Sequence, residues 1–400
     1  MTDTPPPPPP GDIPIDVVDD TPPPVAGTSS NASGDQRQPK RFPCKRCGAE
    51  LIYAPGTTTL TCGFCGSENA IPTSADEVRE LDFNTYVTKL ADAGDDSLET
   101  IEVAEVRCDA CAAEVTKPQG LNTFACPFCG SNIEASTHSR RLIKPKALLP
   151  FKVTDKQATT YFREWIGKLW FAPNKLKRYA RKDHGLHGVY IPYWTYDSAT
   201  TTWYTGQRGE HYWETQTYRD SKGKTRTRRV RKTRWYPASG VVGRRFDDVL
   251  VLASDTLPRA KTEKLEPWDL HELIDFDPAF IAGFTAEAYR VDLEQGFGHA
   301  QVIMKPTIES DIKRDIGGDV QTISSMKTQH DNVTFKHILL PIWISSYRWK
   351  DKIYRFVVNG RTGEVQGERP WSVWKILLAV LGGLIVAGGI AAVIAVTQGG

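Results

Sequence analysis

The cysteines of this chain number eight and fall into two copies of one spacing: Cys44-x2-Cys47-x14-Cys62-x2-Cys65 and Cys108-x2-Cys111-x14-Cys126-x2-Cys129. Each ligand of the first set recurs 64 residues later in the second. A tetrahedral Zn2+ site needs four converging thiolates, and two C-x-x-C knuckles supply two each once a short hairpin brings them together. The spacing therefore predicts two four-cysteine zinc ribbons and two Zn2+ ions per chain. Gly48, Gly66 and Gly130 follow the second cysteine of three knuckles, where the chain must turn sharply to aim N–H groups at sulfur; the fourth knuckle has Ala112 instead. Iron in a rubredoxin-like site uses the same four thiolates, so the spacing leaves that metal open. Disulfide bonding suits the regular pairs poorly in a chain without a secretory signal, and nothing around them reads as the strand-to-helix turn of a redox dithiol.

A second stretch carries charge rather than ligands. Arg219, Lys222, Lys224, Arg226, Arg228, Arg229, Arg231, Lys232 and Arg234 are interleaved with Thr225, Thr227 and Thr233, and Ser221-Lys222-Gly223 marks a turn. The alternation predicts a projecting basic β-hairpin over 217–236. Within the segment only Asp220 is available to neutralise the nine cations, so an external polyanion is the expected partner. The wider region is lopsided too: residues 140–260 hold 26 Lys and Arg against 10 Asp and Glu, although the 400-residue chain is only +2 overall.

Catalytic groupings fail one at a time. Gly223-Lys224-Thr225 ends like a phosphate-binding loop, but the first glycine of that motif would have to stand at Tyr218. His271-Glu272 opens like a zinc-protease helix, and Asp275 occupies the place of its second histidine. Asp183-His184-Gly185-Leu186-His187 has metal-binding residue types but lacks a further ligand, and every cysteine is already committed to metal. The expectation is a protein without an enzymatic activity of its own.

These groups need elements to hold them. Residues 1–40, with Pro5 to Pro10 unbroken and Pro22 to Pro24 beyond, read as a disordered, extended leader. The ribbons occupy 41–72 and 105–136. Between them, over 73–104, an acidic helical spacer is expected from Asp76 to Leu90, capped by Ser74 or Asp76. An α+β body follows over 141–370. In it Asp155 is the expected cap of a helix to about Trp170, and a second helical stretch is expected to open at Pro173. Residues 278–316 read as mainly helical with Pro306 breaking the run, and 343–365 as strand, strand, turn and strand. Pro150, Pro192 and Pro341 each follow an aliphatic residue in strand-like surroundings, which predicts edge strands or strand starts.

The C-terminal stretch is apolar. Ile376 to Val396 contains no charge, and at helical rise it spans about 31 Å, the thickness of a bilayer core. Trp371, Trp374 and Lys375, preceded by Arg369, are the aromatic and basic anchors of a membrane interface. One transmembrane helix over 375–397 is expected, with the bulk of the chain on the cytoplasmic face of the cell membrane, where basic flanks and reduced thiolates both belong. Ala379, Gly383, Ala387, Ala391 and Ala395 recur every four residues as a small-residue stripe for helix packing, which points to a homo-oligomer through this helix.

The chain resembles a family of bacterial membrane-anchored proteins with zinc-ribbon N-termini, some named after primosomal protein N′ (replication factor Y), a superfamily II helicase. The paired ribbons carry the resemblance, together with Gly188 to Asp197, Phe246-Asp247-Asp248-Val249-Leu250, Lys336 to Pro341 and Val358 to Val365. The helicase name fits this chain poorly: Asp76-Glu77-Val78-Arg79 ends in arginine where a D-E-x-H box needs histidine. Relatives encoded beside phage-shock and flotillin-like envelope-stress proteins imply an adaptor role at the membrane. Two functions are thus expected. One is an adaptor that recruits a cytoplasmic protein partner, its basic hairpin on anionic lipid head groups. The other is a membrane-tethered nucleic-acid-binding protein.

Overall fold

The computed structural model describes residues 42–72, 78–91, 98–117, 123–134, 138–173, 185–349, 352–368 and 371–398. The leader over 1–40 and the helical stretch expected beyond Pro173 lie outside these residues. The first ribbon is a three-stranded antiparallel sheet of β1 (Leu51–Tyr53), β2 (Thr59–Cys62) and β3 (Glu68–Ala70). β4 (Leu81–Asp82) and α1 (Phe83–Ala91) follow. The spacer helix thus begins at Phe83; the expected caps Ser74 and Asp76 lie outside the described residues. Leu81 and Asp82 are drawn into the main sheet opposite Phe335 and Thr334, and Asp82 Oδ1 accepts the Thr85 N–H at 2.7 Å as the cap.

The second ribbon contains β5 (Thr100–Arg107), β6 (Glu114–Thr116), β7 (Thr123–Ala125), β8 (Asn132–Glu134) and β9 (His138–Ile143). β6-β5-β9 form one sheet and β7-β8 another.

The body then runs β10 (Ala147–Leu148), α2 (Asp155–Lys168), β11 (His187–Arg219), β12 (Thr225–Leu252), α3 (Arg259–Thr262), β13 (Ile274–Asp275), β14 (Thr285–Ala286), α4 (Leu293–Ile316), β15 (Val320–Trp349), β16 (Lys352–Asn359) and β17 (Val365–Gly367). α5 (Val373–Gln398) closes the chain. The main sheet has nine strands in the order β12-β11-β15-β10-β13, with β14 on β11, β4 and β16 on β15, and β17 on β16. Helices sit beside a mixed sheet, as the α+β expectation required.

Three strands dominate. β11, β12 and β15 have 33, 28 and 30 residues, where strands of 3–10 are usual. The β11–β12 ladder runs from Tyr193↔Leu252 to Arg219↔Thr225, but β15 accompanies β11 only as far as Gly209↔Val320. Beyond that pair the hairpin continues as a bare two-stranded ribbon. Its ten remaining β11 residues span about 33 Å at strand rise. The expected hairpin of 217–236 is the tip of this longer structure.

Local rules explain three departures from expectation. Thr154, not Asp155, caps α2: its hydroxyl accepts the Gln157 N–H, and the Gln157 side chain accepts the Thr154 N–H at 2.9 Å, a reciprocal box that leaves Asp155 in the first turn. Pro306 lies inside α4 without ending it, because the carbonyl deprived of its partner belongs to Val302 on the exposed side, while Gly296, Ala300, Met304, Ile308 and Ile312 face the core. Pro192 and Pro341 sit in central strands and not at edges. The Pro192 carbonyl accepts from Ala253 just past the end of β12, and the Pro341 carbonyl accepts from Gly360 just past β16. In an antiparallel ladder N–H and C=O of one residue point the same way, so each missing N–H falls where the neighbouring strand has already stopped.

Alternation along β11 divides the core. Tyr190 joins the first ribbon's Leu51, Tyr53 and Leu60 around Phe151, Phe280 and α2. Ile191 and Tyr193 face the second ribbon, packing with Val106, Val115 and Phe128. Trp194, Tyr196 and Tyr204 lie under α1 and α4, with Phe335 and Met304. Their polar tips are satisfied: Trp194 Nε1 donates to the Val291 carbonyl at 2.9 Å and Tyr196 O–H to that of Leu293 at 2.7 Å.

Candidate metal centres and basic ribbon

All four knuckles fold by one hydrogen-bond scheme. The N–H after the second cysteine returns to the carbonyl of the first, Gly48 to Cys44 at 2.9 Å, Gly66 to Cys62 at 3.0 Å, Ala112 to Cys108 at 2.7 Å and Gly130 to Cys126 at 2.8 Å. These turns place Gly48, Gly66 and Gly130 at φ 74°, 67° and 74°, and Ala112 at φ 58°, the left-handed region that an L side chain enters at a cost.

The result is two clusters of four sulfurs, all within 4.8 Å of one another in each. Cys44 and Cys65 approach to 3.6 Å, Cys47 and Cys62 to 3.5 Å, Cys108 and Cys129 to 3.6 Å, Cys111 and Cys126 to 3.7 Å. A tetrahedron with Zn–S bonds of about 2.3 Å has edges of about 3.8 Å, so the donor sets match one zinc ion each, two per chain. All eight cysteines are free thiols, with separations well beyond the roughly 2.05 Å of a disulfide.

The surroundings favour thiolates at selected positions. A hydrogen bond from the Ser67 hydroxyl, supported by the Arg46 N–H, holds Cys44 down at about 6. Cys111 is lowered to about 5, chiefly by its bond with Cys126, whose own thiol is pushed up by that bond and by burial.

The two centres differ in what surrounds them. Phe64 and Phe128 occupy the same place in the second knuckle of their ribbons, yet Phe64 is 88% exposed and Phe128 0%. In the first ribbon Cys44 and Cys62 are buried and Cys47 is exposed, whereas in the second Cys108, Cys126 and Cys129 are all buried. Both ribbons are bonded to the body: Tyr53 N–H donates to Ala282 and Gly56 N–H to Phe151, and Val115 of the second ribbon forms a bridge to Glu287.

The basic residues sit where the hairpin was expected, and the ladder adds partners that the segment alone lacked. Asp220 organises the tip, its Oδ1 accepting N–H groups of Lys222 and Lys224 at 3.0 Å and its Oδ2 the Arg226 guanidinium at 2.9 Å. Glu214, brought across from β11, pairs with Lys232, so Asp220 is not the sole counter-charge. Arg228 lies over Tyr218, Arg229 over Trp213 and Arg234 over Tyr212, at 5.1–5.5 Å from the ring centres. Gly223, with φ 75°, is the turn glycine and no part of a phosphate loop.

At the other end α5 begins at Val373, earlier than the expected 375, and one window of it, Val373–Ala391, is apolar enough to cross a membrane, with mean hydropathy 2.1 and no burial against the body. This is one candidate membrane anchor. Trp371 just before it and Trp374 in its first turn are exposed. Lys375 instead turns back, its Nζ donating to the carbonyls of Trp170 and Ala172 at 3.0 and 2.9 Å, and so ties helix to body. Ala379, Gly383, Ala387 and Ala391 are all exposed, and Ala395 lies in the same helix.

Two polar groupings escaped the sequence reading. Lys336, nearly buried in β15, pairs with Glu80 at 2.9 Å and Asp248 at 2.8 Å, and Glu80 with Asp197 and Asp247 brings three carboxylates together. Burial, then the shared bond with Glu80, pushes Asp197 up to about 7. Glu287 is enclosed beside the second ribbon, accepting the Ser254 hydroxyl at 2.7 Å and that of Thr256, and burial raises it to about 7. Asp197, Asp247, Asp248 and Lys336 fall in stretches that carried the resemblance, which gave the first grouping its only signal; Glu287 had none. His271-Glu272 makes a structural contact: Glu272 and Asp269 both grip the Arg361 guanidinium.

Residues 104–138 match the FORGETTER1 second zinc ribbon domain, so the second cysteine cluster belongs to a recognised zinc-ribbon type. Over 339 residues the chain is 25% identical to the uncharacterized protein YdjG of Bacillus subtilis strain 168, covering 84% of this chain and 91% of that one. No solved structure matches the chain.

Proposed function

We propose that this chain is a membrane-anchored adaptor whose first zinc ribbon recruits a cytoplasmic protein partner to the inner face of the cell membrane. The exposure of Phe64 carries the reading: a phenylalanine held rigidly on a metal knuckle and left 88% exposed is what an interface anchor looks like before its partner arrives. The second ribbon buries the equivalent Phe128 and serves as part of the scaffold. α5 supplies the tether, and its basic, tryptophan-flanked N-terminal side favours a cytoplasmic body. The resemblance described above nominates phage-shock or flotillin-like proteins as partners in an envelope-stress response. No nucleotide-driven motor is part of the proposal.

The test is co-purification of such a protein with the detergent-extracted full-length chain, with and without nuclease. Phe64→Ser should abolish recovery while the chain keeps two zinc ions. Recovery that survives this change would end the proposal, and recovery lost to nuclease would favour the nucleic-acid reading.

A further inference from the structure

The register of the long hairpin sorts its residues onto two faces, and the faces are chemically unlike. Positions paired across β11 and β12 share a face, so Arg226, Arg228, Lys232 and Arg234 lie with Tyr218, Gln216, Tyr212 and Glu210. Lower down, this face is covered by α4, where Tyr204 O–H donates to Asp315 and Arg244 pairs with Asp311. At the tip its charges are partly met, Arg226 by Asp220 and Lys232 by Glu214.

The opposite face is open along its length. It carries Trp203, Trp213 and Trp235, which are 45%, 58% and 42% exposed. Arg219, Arg229 and Arg231 share it, and Lys327 of β15 pairs with Trp203 on the same side. The remaining positions are chiefly threonine, with Thr205 and Ser325 bonded across the ladder at 2.7 Å and His211 to Thr233 at 3.1 Å. From Thr201 to Arg219, from Thr225 to Gly243 and from Val320 to Gln329 of β15, no position of this face holds Asp or Glu; Asp331, opposite Ala199 and holding the Gln329 side chain, marks its inner limit. Gly209 is required here: a Cβ would stand 2.9 Å from the Trp235 ring that lies over it.

We infer that this carboxylate-free tryptophan and arginine face is a second membrane contact, lying on the anionic phospholipid head groups of the leaflet that holds α5. Three observations carry it. Tryptophan beside arginine is the composition of a membrane–water interface, where the ring sits among head groups and the cation pairs with phosphate. The absence of carboxylates removes the repulsion that an anionic leaflet would impose. Ring spacing argues against a stacked nucleic-acid strand: Trp235 stands opposite Gly209, so the three rings occupy levels 203, 209 and 213 of β11. At strand rise these are about 20 and 13 Å apart, several times the roughly 3.4 Å between stacked nucleotides. A lipid surface demands no such repeat. The inference deepens the anchored reading and is independent of which protein the first ribbon recruits.

The experiment uses the full-length chain reconstituted into vesicles of phosphatidylcholine alone, or of equal parts phosphatidylcholine and phosphatidylglycerol, with brominated acyl chains as quenchers of tryptophan fluorescence. Anionic vesicles should give additional quenching that disappears in roughly 1 M salt, where the screening length is about 3 Å. The variant with Trp203→Phe, Trp213→Phe and Trp235→Phe should lack that component. Arg219→Gln, Arg229→Gln and Arg231→Gln together should weaken docking about 100-fold, at about fivefold per charge. Arg226→Gln, Arg228→Gln and Arg234→Gln on the other face should shift it less than about threefold, being about a screening length further from the lipid. Zinc content of two per chain checks that each variant folds. Equal losses from both arginine sets, or no anionic component at all, would overturn the inference and leave the anchor standing. Protection of the same tryptophans by oligo(dT) or oligo(U) in neutral vesicles, with no response to anionic lipid, would reassign the face to nucleic acid. A chain stripped from the vesicles by alkaline carbonate would remove anchor and inference together.

Discussion

The two ribbons are built to one local plan and set in different surroundings. Their cysteines, knuckle turns and even the phenylalanine between the third and fourth ligands coincide at an offset of 64 residues, yet one phenylalanine points into solvent and the other into the core. The difference lies in what each ribbon packs against. The second inserts Val106, Val115 and Phe128 among Ile191, Tyr193 and Leu252 of the long strands. The first rests on Phe151, Tyr190 and Phe280 through Leu51, Tyr53 and Leu60, burying Cys44 and Cys62 but leaving Cys47 and Phe64 outside. A metal makes a ribbon independent of its surroundings for folding, so one copy can keep an exposed knuckle while the other is absorbed into a domain.

The comparison breaks most visibly at the ligands. Cys126→Ser should lose one of two zinc ions and take the shared core of β11 and β15 with it, because a structural zinc contributes on the order of 10 kcal/mol to its module. Cys62→Ser should also lose one ion but leave the second ribbon and the main melting transition in place. Metal analysis with thermal melting distinguishes the two, and a Cys126→Ser chain that melts like the parent would refute the scaffold role. Next come the phenylalanines. Phe128→Ala should destabilise by about 3–5 kcal/mol, a core truncation, and Phe64→Ala by no more than about 0.5 kcal/mol, measured by denaturant titration.

A third test lies at the seam between the second ribbon and the sheet. Burial raises Glu287 from its ordinary 4.5 to about 7, against the opposing pull of Ser254, Thr256 and Arg290. The folded chain therefore keeps a proton that the unfolded chain releases across that interval, so this contribution to stability is full below about 4.5 and is lost as pH rises through 7. Glu287→Gln should leave stability near pH 5 about unchanged and raise it near pH 8 by roughly 2–3 kcal/mol. Equal effects at both pH values would mean that the carboxyl is not held protonated. The smallest effect is at the turns. Ala112 adopts a left-handed φ that glycine fills in the other three knuckles, so Ala112→Gly should stabilise the second ribbon by about 1 kcal/mol and Gly130→Ala cost about as much. Chelator concentration at half-loss of zinc would resolve both.

Much of the candidate site was legible because its chemistry is local. Ligand spacing and knuckle glycines follow from what four thiolates around one ion demand, and an uncharged run long enough to span a bilayer is read by length alone. The basic hairpin was legible by alternation, but its extent was not. Alternation identifies a tip and a period, whereas the 26 paired positions extend to Tyr193↔Leu252, where the partner lies more than fifty residues away. Pro192 and Pro341 were misread for the same reason, since whether a proline is tolerated depends on where its neighbour ends.

What the amino-acid sequence determined by itself is everything set within a few residues or by composition: the metal ligands, the turns that aim them, the period of the cationic strand pair and the apolar tail. What tertiary structure alone decided is exposure and facing. Phe64 and Phe128 are the same residue in the same turn, and only the approach of β11 and β15 to one of them makes it core. Likewise the nine cations of the hairpin are one charge run in the chain, and only the register divides the seven outside the turn between a face met by Glu214, Asp220 and α4 and a face of tryptophan and arginine that nothing covers among the described residues. Burial and facing are properties of pairs of distant segments, and no single segment encodes them.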